Sequence, residues 1–155
     1  MANVRRSNMS KRPRVIGTTK EAISRAEREL MRNFPPSFSE WLLKNNGLSL
    51  DGVQIYPVLD DRDPRMTWDS IVRNFNERWA AWLENFDDRL GDFDSLLPFA
   101  DFGTGDFYCF DYSQLSAQCE PPVVRWSHET GDVEPRGASF PEYQSRLLLG
   151  EFKYD

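Results

Sequence analysis

Cysteine and histidine are scarce in this chain: Cys109, Cys119 and His128 are all there are. Two cysteines without CxxC spacing make neither a disulfide framework nor a zinc site. Both read as free thiols of a reducing, cytoplasmic compartment. One histidine with no second histidine or matched cysteine gives poor support to a metal centre or a Cys–His nucleophile. Nucleophile elbows, Walker loops and zinc spacings are missing as well. Long apolar runs are absent too, and none approaches the roughly 18–20 residues of a membrane span. The early arginines are not followed by an apolar segment, so they do not read as a secretory signal. Internal repeats and dividing linkers are also lacking, so one domain is expected.

Acid is missing from one place only. Residues 1–20 hold six of the 19 basic residues and no Asp or Glu. From residue 21 onward, 13 basic residues face 25 acidic ones, a formal charge of −12. A basic arm over residues 1–17 therefore precedes an acidic body. The arm lacks periodicity and reads as a flexible, solvated extension rather than a nucleic-acid-binding tail. An acidic body repels nucleic acid and favours basic protein partners. What the body has in quantity is aromatic residues, 14% of the chain, and with them the material for a core.

The organising stretch is Leu96 to Tyr112, LLPFADFGTGDFYCFDY. Leu96–Ala100 and Asp106–Tyr112 read as strands joined by a loop in which Gly103 and Gly105 supply positive φ. Strand alternation points Phe107 and Cys109 one way and Tyr108, Phe110 and Tyr112 the other, so both faces are apolar and the strand lies inside a sheet. Upstream, Thr18-Thr19-Lys20-Glu21 forms a capping box for a helix to about Asn33. Pro35-Pro36 opens a second helix, closed by Asn46-Gly47. Val53–Val58 is a strand, placed near an edge by Pro57.

Leu59–Arg65 is an acidic loop. Thr67 then caps a third helix with apolar positions from Trp68 through Ile71, Phe75, Trp79 and Trp82 to Phe86, a stripe read chiefly as core. Asp87–Asp94 is a second acidic loop. Pro122–Ser127 is another strand and a short one follows near Val133. Ser139 caps a last helix from Phe140 to about Leu149, leaving 151–155 as a tail.

Several of these segments carry a family resemblance. AEREL, FPPSFSEWLLKNNG and IYPV, then LPFADFGTGDFYCFD, PPVVRWSHETG and SFPEYQSRLL, resemble the Smi1/Knr4, or SUKH, family in the same order over about residues 18–150. The resemblance implies an α+β domain with helices packed on an antiparallel sheet. It also implies a protein-binding role. The family includes bacterial immunity proteins that neutralise polymorphic toxins, often nucleases, and a fungal regulator of cell-wall synthesis. The size resembles the bacterial kind, and the basic arm is a departure from it.

Asp60, Asp61 and Asp63 are the residue type for a hard cation, but the glycine and distant glutamate of a calcium loop are missing. Gly103-x-Gly105 precedes a strand rather than a helix N-terminus, so it is a turn and not a phosphate cradle. Asp101 and Asp106 flank that turn, where aspartates ordinarily cap backbone rather than trade protons. The expectation is therefore a binding module with no catalytic residue, cofactor or metal, no membrane and no directly bound nucleic acid. Its partner is expected to be a toxin domain, occluded through Asp60, Asp61, Asp63, Asp101 and Asp106 with Tyr56 or Trp68 as aromatic anchors. The alternatives are an intracellular regulatory scaffold, like the fungal relative, and a small hydrolase using the acidic loops.

Overall fold

The computed structural model describes residues 15–155, so the expected arm lies outside the described residues except for its last three. Of those, Gly17 is buried with φ +72°, and a Cβ there would sit 1.8 Å from the Leu43 carbonyl oxygen. Only glycine fits so close a backbone approach. Helix α1, Lys20–Leu30, follows. Its cap is Thr19, whose hydroxyl accepts from the Ala22 N–H at 3.1 Å, one residue later than the expected box. The helix ends three residues before the expected Asn33, where Met31 takes the left-handed conformation. Helix α2, Pro36–Asn45, begins on the paired prolines and buries Phe38 and Leu42 completely.

Six antiparallel strands run side by side in chain order: β1 Ser49–Leu50, β2 Val53–Ile55, β3 Leu96–Asp101, β4 Phe107–Asp111, β5 Val123–Trp126 and β6 Val133–Gly137. The hairpin expected from Leu96–Tyr112 is β3–β4, and every residue in both strands is buried. Its register slips at Phe99, between the pairs Pro98–Cys109 and Ala100–Tyr108. This bulge lets the Phe99 ring stack on Phe110 with centroids 4.1 Å apart. β2 stops at Ile55, before Pro57, and β1 lies outside it.

Each sheet face carries its own aromatic layer, as the alternation along β4 requires. On one face Phe38 of α2 packs edge-on against Phe99 and Phe110, with Phe140 of helix α6, Phe140–Leu148, alongside. On the other, Trp79 packs against Phe107 at 5.4 Å and Trp126 at 4.8 Å, with Phe93 behind. Phe152 of the tail is buried against Tyr143, and Asp155 pairs with Arg136 at 2.9 Å.

The segment between β2 and β3 departs from the expected third helix. Asp63, not Thr67, caps a short helix α3, Pro64–Thr67. Trp68 lies beyond its end. Ser70 caps helix α4, Ile71–Asn74, which opens into a π-helical stretch, Phe75–Trp79. Helix α5, Ala80–Leu83, follows and gives way to 3₁₀ turns over Glu84–Phe93, interrupted by non-helical backbone at Phe86 and Arg89, where the end of the helix and then the loop Asp87–Asp94 were expected. The apolar spacing of Ile71, Phe75 and Trp79 fits a wide turn as well as an α-turn, so periodicity alone does not separate them. The chain is thus a single α+β domain. Among the described residues, no helix is long and apolar enough to cross a membrane.

Candidate interaction face

Asp60 is only 3% exposed. Its carboxylate accepts from the Thr18 hydroxyl at 2.8 Å, the Arg62 backbone at 2.9 Å and the Arg62 guanidinium at 2.7 and 3.0 Å. The Arg62 hydrogen bonds hold its pKa down to about 2 against the upward pull of burial. Thr67 accepts from the Asp60 backbone N–H and donates to the Asp63 carbonyl. Asp60 therefore knots the loop to the start of α1, and its carboxylate is not open to a partner.

Tyr56 and Asp101 are likewise internal. Tyr56 is fully buried and its hydroxyl donates to Asp101 at 2.5 Å, while Arg78 from the π stretch reaches the same oxygen at 2.6 Å. Burial, reinforced by the Asp101 carboxylate, pushes the Tyr56 phenol well above its ordinary pKa. Asp106 is 3% exposed and binds Arg125 on β5 as well as His128, whose ring Nδ1 lies 2.5 Å from it. An ionised carboxylate only accepts, so Nδ1 carries the proton. Burial would raise the Asp106 carboxyl, but hydrogen bonds from His128 and Arg125 outweigh it and hold the group below the ordinary carboxylate value. Trp82 leans over the His128 ring at 4.8 Å. Four of the seven candidate residues, Asp60, Asp101, Asp106 and Tyr56, thus support the fold from inside and form no open acidic face.

The other three lie at the surface. Asp63 caps α3 through the Met66 N–H. Asp61 holds Arg25 of α1 at 3.2 Å with its own side chain 76% exposed. Trp68, read at the sequence level chiefly as core, is 60% exposed, and the Arg73 guanidinium lies 4.9 Å over its ring. It stands outside any helix, so no helix face turns it inward.

Trp68 borders a groove of about 380 Å³ between α1 and α4. Ala22 and Ala26, one turn apart on α1, form part of its lining, with Leu59, Trp68 and Val72 completing the apolar surface. Arg25 and Glu29 rim it on α1, and Arg73 and Glu77 rim it opposite. Arg73 and Glu77 pair at 2.7 Å. Ala22 and Ala26 are themselves only 6% and 4% exposed and form the floor of this depression, which sequence reading did not foresee. The available signal was their size, since small residues at i and i+4 leave a depression where leucines would fill it.

A second feature was visible as an acidic loop but was not singled out as a site. Glu84, Asp87, Asp88 and Asp94 are exposed along and just beyond the 3₁₀ stretch, and Glu129 and Asp132 are exposed on the β5–β6 turn. Arg89 ties the two segments by donating to the Thr130 carbonyl at 2.9 Å. None of these six carboxylates makes an ion pair among the described residues. Also among the described residues, no group of three or more metal-ligating side chains converges.

Compared with known proteins, residues 17–146 match a family model described as the SMI1 / KNR4 family (SUKH-1). A search of curated proteins returned no match.

Proposed function

We infer the function of this chain from one premise: it belongs to the SMI1 / KNR4 family (SUKH-1). Our reading is a non-enzymatic protein-binding module of the immunity type, which neutralises a toxin domain in the cytoplasm by covering its active site. The observation that carries it, beside the family, is Trp68. A tryptophan 60% exposed beside an uncovered apolar groove is an unusual use of the largest side chain and suits an interface anchor. The acidity of the body supports a basic partner, such as a nuclease whose active site binds phosphates. The six unpaired carboxylates at residues 84–94 and 129–132 and the exposed Asp61 supply field at long range. The buried aspartates have no part in this reading beyond holding the frame.

The test is co-expression with the toxin domain encoded beside this chain. Wild type is expected to rescue growth and to co-purify with the toxin. Trp68→Ala is expected to rescue poorly while keeping its circular dichroism and melting temperature. Absence of protection and of any complex with wild type sinks the immunity reading.

A further inference from the structure

Residues 151–155 cover a site whose chemistry runs against the acidity of the body. Three arginines stand around it: Arg125 on β5, Arg136 on β6 and Arg146 on α6. Tyr108 and Tyr143 lie beneath, with ring centroids 4.9 Å apart. Phe152 stacks on Tyr143 at 5.8 Å, and the Arg136 and Arg146 guanidiniums lie 5.4 and 5.1 Å over its ring. The Asp155 carboxylate accepts from the Tyr108 hydroxyl at 2.8 Å, and each of its oxygens accepts from Arg136 at 2.9 Å. Little else attaches the segment. Gly150, at φ +79°, joins it to α6, and nothing lies within 4 Å of where a Cβ there would be. Glu151, Lys153 and Tyr154 are exposed. The Glu151 N–H still donates to the Arg146 carbonyl, but the backbone bond from Asp155 to the Phe152 carbonyl is internal to the segment. Past Glu151, two side chains hold it.

The covering segment does not use all that the site offers. The Tyr143 hydroxyl is buried with no hydrogen-bond partner among the described residues, and so is Arg125 Nε. Arg125 Nη1 lies 3.8 Å from Asp155, too far for a hydrogen bond. Buried donors left unserved are costly, so a better-fitting acid has something to gain. Lifting 151–155 also removes Glu151 and Asp155, leaving the three arginines with only Asp106 and the exposed Glu134 as partners. The segment lies beyond residues 17–146, the part that matches the family, whereas the site beneath it lies within them. We propose that residues 151–155 are a detachable occupant of a second protein-binding site. The site takes an acidic segment of a protein partner, with an aromatic residue three positions before its carboxylate. The attached segment competes with that partner in cis and sets the affinity the partner must exceed. The site is opposite in sign to the toxin-binding face proposed above and does not depend on the immunity reading.

The probe is an acetylated peptide of sequence EFKYD, copying residues 151–155. Its controls replace the phenylalanine by alanine or the aspartate by asparagine. Each is titrated into the full chain and into the full-length double variant Phe152→Ser, Asp155→Asn, with ¹H–¹⁵N chemical shifts followed. The double variant is expected to keep its circular dichroism and to bind the peptide, with shifts at Tyr108, Arg125, Arg136, Tyr143 and Arg146. Wild type should bind it at least about tenfold more weakly, because its own segment occupies the site. Adding Arg136→Gln to the double variant should remove most of that binding. Asp155→Asn alone keeps Phe152 seated and should bind the peptide more tightly than wild type. A folded double variant without shifts at these residues overturns the proposal, as do equal affinities of wild type and both variants, or controls that bind as well as the probe. Unfolding of both variants also overturns it, since the segment would then be part of the frame and not a detachable occupant.

Discussion

Asp60 is a charge kept inside the fold by its neighbours, and that makes its ionisation a stability term. Its folded pKa of about 2 lies below the ordinary aspartate value of 3.8. The stabilisation is therefore present above the unfolded value and is lost as pH falls through about 4 towards 2. Its size at neutral pH is at most about 2 kcal/mol. Asp60→Asn is expected to lower the urea midpoint at pH 7 and to flatten the stability profile between roughly pH 5 and pH 2. A variant profile as steep as wild type there would remove Asp60 from the account. At Gly17 the predicted effect is steric: Gly17→Ala should cost about 2 kcal/mol or more, because its Cβ meets backbone rather than a flexible side chain. Thermal melts check it. The same scale shows what a sequence conceals. Asp60 and Asp61 are adjacent and chemically identical, yet one is buried and the other is 76% exposed. The difference lies in Thr18, 42 positions away, whose hydroxyl reaches one of them. Local composition contains no trace of that.

Among the elements, α2 depends most visibly on one side chain. Phe38 meets Phe34, Phe99, Phe110 and Phe140 within 5.2–5.8 Å between ring centroids, and it joins α2 to the sheet and to α6. Phe38→Ala should cost about 3–5 kcal/mol by chemical denaturation. A loss under about 1 kcal/mol would mean the layers hold without it. Elements with chemical punctuation were legible: the prolines at α2, Ser139 at α6 and the glycine loop of β3–β4 all mark real ends. The segment between β2 and β3 was not, and for a physical reason. Its apolar residues recur every three or four positions, a spacing shared by α, π and 3₁₀ turns. Which turn forms is decided by the surface it packs on, here Phe107 and Trp126 under Trp79. The place of Trp68 in the core stripe failed by the same route, because one residue beyond a helix end no longer shares that helix's inward face.

For the whole molecule, the α+β class and the family were readable because motif order survives in the chain even where each motif is soft. The candidate site was only partly readable, since it depends on which acids face out and on Trp68 standing outside the core. The charge separation makes a further prediction. If the partner is basic, association should slow several-fold as salt rises from about 50 to 500 mM, while dissociation changes little. Stopped-flow mixing measures both rates, and a salt-independent association rate would point to an uncharged contact.

The ends of the sheet have a consequence for how the protein behaves in a crowded cell. A strand at a sheet edge offers unpaired amides to any extended chain that passes, and aggregation often begins there. Here one edge, β1, is two residues long. The other, β6, carries Pro135 in its middle, which has no N–H to donate, with charged Glu134 and Arg136 beside it. Neither edge is a template for lengthening the sheet by a borrowed strand. The protein can therefore be held at high concentration without polymerising edge to edge. Substituting Pro135 with valine restores a donor and should raise light scattering on prolonged incubation at high concentration.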